Sequence, residues 1–477
     1  MKERQSEVSP ADRSDEPPHA RRICMIGCGY VGLVNACGFA NRGHQVVGVE
    51  RDAGRLSALR SGRTPFYEPG LEEQVAESVA RGRLSFTDDC RLGVRDAEFA
   101  FLAANTPVDE SGRADLSHFW QAAADLAHAV SGQRPIVVVK STVPVGTSQA
   151  LGDFLRRQSG DDDRWYVVAN PEFLTEGNAL RALRECDRIV IGSDDHWALT
   201  EVASLYAPFQ MPLVATDFAT AEMVKYGSNA FLATKISFIN ELAHLCEQTG
   251  ADVQTVALGM GLDPRIGLAF LRPGAGFGGS CLPKDTRALA RMARDEGLEL
   301  SIVEAALEAN RRQRRAVVHH LREALGSLHG RCIALWGLAF KPNTSDIREA
   351  PALDVIDMLL AEGAAVRAYD PQAMDSMRKR RPDVSYAPDT LTALEGADAL
   401  VLLTEWQEFR LADLAEVRRR LRGNLVLDGR SIWEKQDVEE AGLRYMTIAG
   451  WSQREAGAGA RRVADSAVQA ERLLRAA

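Results

Sequence analysis

The sequence contains no Cys-x-x-Cys pair, and its eight cysteines lie scattered through 477 residues. That excludes a zinc framework or a disulfide-stapled secreted scaffold and reads as a set of reduced thiols. An excess of positive charge is also missing. The 57 Lys+Arg against 66 Asp+Glu leave a formal net charge of −9, so neither nucleic acid nor an anionic membrane is expected as the main partner. Residues 1–22 are charged, polar and proline-containing and lack the apolar core of a signal peptide. They read as a disordered tail on a cytoplasmic protein. The one uncharged stretch of near-membrane length, residues 23–41, is interrupted by Gly27, Gly29, Gly32, Gly38 and Asn35, which suits a strand, turn and helix better than a membrane span.

What is present is a long globular chain, enough for about three domains at roughly 100–200 residues each. Residues 23–26 form an apolar run ending in glycines, residues 31–41 read as a helix closed by Gly43, and residues 46–49 are a second apolar run. Further strands are expected at 99–103, 136–139, 167–169 and 189–191, with helical segments between several of them, as in a parallel sheet covered on both faces. From Asp217 to about Thr249 the pattern becomes one long helix with only Gly227 as an interior breaker. It suits a bridge that presents a face to a second subunit, or equally an intramolecular spine. After another helical stretch, about 286–325, the opening pattern returns as strand 333–336, helix 352–361 and strand 366–369 ending at Asp370. Here Gly337 is followed by Leu338 and Ala339, so the glycine fingerprint is missing and either a different nucleotide-like ligand or a purely structural unit is implied.

The fold class expected is therefore α/β: two Rossmann-like, doubly wound domains joined by a central all-helical domain containing a long helix. The expected divisions are a tail at 1–20, a first Rossmann-like domain at 21–212 and a central helical domain at 213–325. A second Rossmann-like domain follows at 326–453, then a tail at 454–477 that reads as mobile or as an isolated helix.

Gly27-Cys28-Gly29-Tyr30-Val31-Gly32 is G-x-G-x-x-G placed between a strand and a helix. The first glycine permits the turn, the second admits a pyrophosphate to the backbone, and the third lets helix pack on strand. Glu50, at the end of the second strand, is the acid needed for ribose hydroxyls, and its charge favours NAD over NADP, with Arg51 next to it as the counter-argument. A second glycine-rich segment, residues 274–279, leads into Ser280-Cys281-Leu282-Pro283-Lys284-Asp285. It is not a Walker A loop, since no Gly-Lys-Ser/Thr follows. It sets a thiol beside a cation and a carboxylate: Lys284 favours the thiolate and Asp285 orients a water, although a small residue in a tight turn explains Cys281 equally well. Two further clusters stand out. Residues 170–177 carry Glu172 and Glu176, and Glu222, Lys225 and Asn229 fall on one helical face. No metal site is read from the sequence.

Taken in order, residues 27–32, 140–144, 170–177, 222–230, 276–285 and 337–349 resemble the nucleotide-sugar dehydrogenases, the UDP-glucose/GDP-mannose dehydrogenase family, over about residues 22–450. The resemblance implies a four-electron oxidation of a sugar C6 alcohol to an acid with two NAD, in which Cys281 forms a thiohemiacetal and then a thioester that water hydrolyses. It further implies that Lys225 and Asn229 stabilise an oxyanion, Asp285 assists as base, Glu172 acts in hydrolysis, and Thr142 and Glu176 lie near the nicotinamide and the reacting water. Cofactor contacts implied are Gly27, Gly29, Tyr30, Val31, Gly32, Glu50, Arg55, Thr106, Ser141, Glu176, Lys284 and Arg348. The nucleotide sugar is assigned to Glu172, Phe173, Leu174, Lys225, Asn229, Phe270, Leu271, Arg272, Gly276, Gly278, Phe340 and Lys341, with Arg265 reaching into a neighbouring subunit.

Leu282 is the form familiar in the GDP-mannose branch, whereas residues 66–71 and 336–351 read like the UDP-glucose branch. UDP-glucose is therefore the expected substrate, feeding UDP-glucuronate to polysaccharide synthesis, with GDP-mannose and UDP-N-acetylhexosamines as alternatives. A homodimer or higher homo-oligomer is expected. A rival of another class is a non-catalytic NAD-binding redox sensor.

Overall fold

A computed structural model describes residues 20–159, 164–185 and 187–448. The expectations for both tails fall outside these residues except at 20–22, where the tail reading runs too far: Arg21 pairs with Glu98 and Glu201, and Arg22 opens the first strand. The chain divides into two compact units, with the boundary in sequence between Lys225 and Tyr226.

In the first unit eight strands form one sheet: β1 (Arg22–Ile26), β2 (Gln45–Val49), β3 (Leu84–Thr87), β4 (Phe99–Leu102), β5 (Ile136–Val139), β6 (Val167–Ala169), β7 (Ile189–Gly192) and β8 (Leu213–Thr216). Their order is β3-β2-β1-β4-β5-β6-β7-β8. The first six are parallel in the doubly wound dinucleotide-fold order, which opens a crevice at the carboxyl ends of β1 and β4. Strands such as β4 (FAFL) and β5 (IVVV) are buried at every position, as both-face coverage requires. The expectation of a wholly parallel sheet fails at one joint. β7 meets β6 antiparallel through the single pair Ala169↔Gly192, the chain between them passing through the short helix Ala179–Arg184. β8 then pairs parallel with β7.

In the second unit, β9 (Cys332–Trp336), β10 (Ala365–Tyr369), β11 (Ser385–Tyr386), β12 (Ala399–Leu402), β13 (Leu425–Asp428) and β14 (Arg444–Thr447) make an all-parallel sheet in the order β11-β10-β9-β12-β13-β14. Its core is built around Trp336, stacked on Phe409 at 5.1 Å. The long helix is continuous over Phe218–Thr249, with Gly227 causing no break. The second helical stretch is two helices, Leu282–Asp295 and Ser301–Leu325, separated by a turn at Gly297 with φ +73°. Among the described residues no helix is long and apolar enough to cross a membrane.

Candidate active site

In the first unit the glycines of the first turn have separable jobs. Gly27 holds φ +96°, and a Cβ there would lie 2.7 Å from the Ala103 carbonyl oxygen. A Cβ on Gly32 would lie 1.8 Å from the Gly27 carbonyl oxygen, so helix Tyr30–Asn41 packs on the turn only without one. A Cβ on Gly29 would meet nothing within 4 Å, which leaves the backbone at the helix N-terminus open to an approaching anion. Glu50 is buried at the end of β2, where its Oε1 accepts the Asp52 N–H at 2.9 Å. Arg55 is exposed in the helix that Asp52 caps. This cradle with its acid fits a dinucleotide.

Below it, Ser141 Oγ donates to the Ala104 carbonyl (2.7 Å), and Thr106 Oγ1 donates to the carbonyl of half-buried Thr142 (2.7 Å). Val31 is half-buried on the same helix, while the Tyr30 hydroxyl donates to Glu68 Oε2 at 2.7 Å. Burial and the Glu68 charge push the Tyr30 phenol well up, so it stays protonated. Glu68, to which the sequence assigns no role beyond its place in residues 66–71, also accepts the N–H groups of Gly177 (2.6 Å) and Ala179 (2.7 Å). It thereby pins the loop bearing Glu172, Phe173, Leu174 and half-buried Glu176.

Glu172 and Lys225 are 5% and 3% exposed. Lys225 Nζ lies 3.2 Å from Glu172 Oε1 and 5.3 Å from the Phe173 ring centroid, while Glu172 Oε2 accepts the Leu174 N–H at 2.5 Å. Glu222, one turn before Lys225, instead accepts the N–H groups of Gly146 (2.7 Å) and Ser148 (2.8 Å). Burial raises its pKa against those bonds. Its job is to cap the Thr147–Ser159 helix.

In the second unit Cys281 is half-buried at the N-terminal end of helix Leu282–Asp295, with Sγ 3.5 Å from Ser280 Oγ. Unpaired N–H groups at such a helix end favour negative charge. One turn along, Asp285 is fully buried, and both of its oxygens are held. Asn229 Nδ2 donates to Oδ2 at 2.6 Å and Lys284 Nζ to Oδ1 at 2.5 Å. The structure thus gathers Asn229, Lys284 and Asp285 around the turn that carries the thiol.

The glycines before Cys281 approach protein rather than open space. A Cβ on Gly276 would lie 2.7 Å from Asn310 Oδ1, on Gly278 2.2 Å from the Glu349 carbonyl oxygen, and on Gly279 2.6 Å from the Phe340 ring. Residues absent from the sequence reading lock this loop. Asn310 accepts the Phe277 N–H (2.8 Å) and donates to its carbonyl (3.0 Å), Arg314 donates to the same carbonyl (2.6 Å), and Asn240 accepts the Gly274 N–H (2.8 Å). Leu271 is buried and Arg272 exposed, Phe270 is 41% exposed with φ +64°, and Lys341 Nζ lies 5.2 Å from the Phe340 ring centroid. Two expected phosphate or cofactor cations hold acids two residues away: Arg265 forks onto Asp263 at 2.6 Å and Arg348 onto Asp346 at 2.7 Å.

The second nucleotide fold uses its acid differently from the first. Asp370 Oδ2 accepts the N–H groups of Leu338 (2.7 Å) and Ala339 (3.0 Å), and its Oδ1 accepts those of Gln372 and Ala373.

Comparison with known proteins gives matches along the chain. Models of the UDP-glucose/GDP-mannose dehydrogenase family match residues 21–210 (NAD binding domain), 219–312 (central domain) and 334–435 (UDP binding domain). The UDP-glucose 6-dehydrogenase of Pseudomonas aeruginosa is 46% identical over 440 residues, covering 90% of this chain and 97% of that protein. That of Rhizobium meliloti is 45% identical over 434 residues, covering 90% and 99%. A UDP-glucose dehydrogenase structure from the hyperthermophilic archaeon Pyrobaculum islandicum superposes with a TM-score of 0.85 at 38% identity, covering 93% of this chain and all of that one. With an NAD-type glycine cradle in one sheet, a thiol turn in the other unit and these matches along nearly its whole described length, the chain belongs to the UDP-glucose/GDP-mannose dehydrogenase family.

Proposed function

We propose that the protein oxidises the C6 alcohol of UDP-glucose to the carboxylate of UDP-glucuronate as an NAD-dependent 6-dehydrogenase. When bound, NAD⁺ accepts a hydride from C6 in each of the two oxidations. Gly27, Gly29 and Gly32 hold the pyrophosphate, Glu50 takes the ribose hydroxyls, and Arg55, Thr106 and Ser141 make further cofactor contacts, with Thr142 near the nicotinamide.

The observation that carries the reading is the turn at Cys281, where a thiol at a helix N-terminus is followed by a buried carboxylate with both oxygens fixed. A simple alcohol dehydrogenase has no use for that thiol. Addition of the sulfur to the C6 aldehyde gives a thiohemiacetal, whose oxidised form is a thioester, and water cleaves the C–S bond to release the acid and restore the thiol. Asp285 accepts protons at this turn. Lys225 and Asn229, four residues apart on one helix, offer an ammonium and an amide to the oxyanion, each such donor being worth roughly 2.7–4 kcal/mol. Glu172, paired with Lys225, serves the hydrolytic step with Glu176 beside it. Phe340, Lys341 and residues 270–278 hold the nucleotide sugar. Cation charge at Arg265 and Arg272 suits its two phosphates.

We place the reaction in the cytoplasm, in keeping with seven free cysteines among the described residues. A homodimer or higher oligomer suits Phe231, Phe238 and Leu245, spaced seven apart on the long helix and 65%, 50% and 57% exposed.

The test is to count NADH formed per nucleotide sugar across UDP-glucose, GDP-mannose and UDP-N-acetylhexosamines. Two per UDP-glucose, with the others slow, is the expected result. One would indicate an alcohol dehydrogenase, none a redox sensor, and preference for another sugar would reassign the substrate.

A further inference from the structure

The sequence His-x-x-Glu occurs twice on helices of the second unit, as His244-Leu245-Cys246-Glu247 and His320-Leu321-Arg322-Glu323. A three-residue spacing sets both side chains of each pair on one face. The helices run side by side in the same direction, since Ser237 bonds Ala306 and His244 bonds Gln313, both 69 residues apart. That register brings His244 and Glu247 against His320. One ligand atom from each of His244, Glu247 and His320 lies within 4.8 Å of the other two.

His320 is only 4% exposed, and neither ring nitrogen makes a hydrogen bond; Nδ1 lies 3.5 Å from Glu323 Oε2. A buried imidazole without hydrogen bonds is costly unless something else takes its lone pair. His244 is oriented from behind. Gln313 is buried with Nε2 donating to the Gly274 carbonyl (2.8 Å), which turns Oε1 toward His244 Nε2 (2.7 Å). Nε2 is then the proton-bearing nitrogen and Nδ1 keeps the lone pair, the arrangement that carbonyl partners impose on metal-bound histidines.

We propose that His244, Glu247 and His320 form a site for a divalent transition ion of the zinc class, with water in the fourth position. Two imidazoles and a carboxylate suit such an ion and not magnesium or calcium, which take oxygen ligands. Bonds of about 2.0–2.2 Å in a tetrahedral site hold ligand atoms about 3.4 Å apart, so the side chains draw in by rotation on binding. The ion clamps the two helices, and through Gln313 it braces Gly274, where the loop leading to Cys281 begins.

The site is tested on the full-length protein stripped with a chelator. Equilibrium dialysis against Zn²⁺ alone, read by elemental analysis, is expected to give one ion per chain in the native protein and in Cys281→Ser. His320→Gln should hold less than a tenth of that. Co²⁺ alone should give the visible bands of a four-coordinate site, and zinc should raise the melting temperature by several degrees. Should His320→Gln fail to fold, the half-buried Glu247→Gln serves instead, with at least a tenfold weaker affinity expected. The proposal is overturned if the native protein retains no zinc, or if binding survives undiminished in His320→Gln or Glu247→Gln.

Discussion

Removing the carboxylate of Glu172 should cost the first unit more than removing the ion pair as a whole. The pair is buried on both sides, with Glu172 5% and Lys225 3% exposed and 3.2 Å between Nζ and Oε1. Deleting one member of such a pair leaves a buried charge without its partner and costs about 3–5 kcal/mol, whereas replacing both with apolar groups is close to neutral. The Phe173 face, 5.3 Å from Nζ, still attends Lys225 in the variant, which places the expected loss near the lower figure. Glu172→Ala should therefore speed amide hydrogen exchange in residues 167–178 by a hundredfold or more, every 1.4 kcal/mol being about tenfold. Glu172→Ala combined with Lys225→Met should return exchange to within about tenfold of the native rate. The residual reflects the lost acceptor for the Leu174 N–H. Exchange by peptide is the proper assay because it reads the loop itself. If the double variant loses as much as the two single variants together, Lys225 and Glu172 are not coupled and the argument is refuted.

Gly29→Ala should leave the melting temperature unchanged while weakening NAD binding at least tenfold in a fluorescence titration. Gly32→Ala should lower stability itself, because its Cβ would sit 1.8 Å from a carbonyl oxygen whereas that of Gly29 meets nothing within 4 Å. Cys281→Ser should fold and bind both ligands yet stall before the acid; near-normal UDP-glucuronate formation would remove the covalent step. Asn310→Ala strips the Phe277 N–H of its acceptor and should cost about 1–3 kcal/mol in denaturant unfolding of the second unit, with a fall in kcat. Burial lowers the His44 pKa to about 4, so the unfolded chain binds the extra proton first. Stability of the first unit should fall as pH drops from 6.5 toward 4, and His44→Asn should flatten that part of the profile in pH-dependent melts.

Much of this molecule is legible in local pattern. Buried strands announce themselves as apolar runs, and the first turn as spaced glycines followed by an acid. The strands that escape notice are β3 (LSFT) and β8 (LVAT) in the first sheet, short and mixed in polarity, with β8 largely exposed at the sheet edge, and β11 to β14 in the second, although β12 (ALVL) and β13 (LVLD) are buried at every position. Within the site, the order of residues points to Cys281 and Asp285 but not to what fixes them. Asn310 and Arg314 act on Phe277 from 33 and 37 positions away, and Glu68 reaches Ala179 across 111. Such partners carry no spacing signal, because the fold and not the chain makes them neighbours. Glu222 shows the converse: it shares a helical face with Lys225, yet its carboxylate caps another helix.

The two acids that end the second strand of each nucleotide fold have parted company. Glu50 leaves a carboxylate oxygen for a guest, whereas Asp370 is knotted into the backbone of its own turn and of the residues that follow it. Grafting glycines onto 339 and 342 would therefore not create a second dinucleotide seat. The ribose would arrive to find its acceptor already engaged, and freeing that acceptor would unravel the turn meant to receive the phosphates.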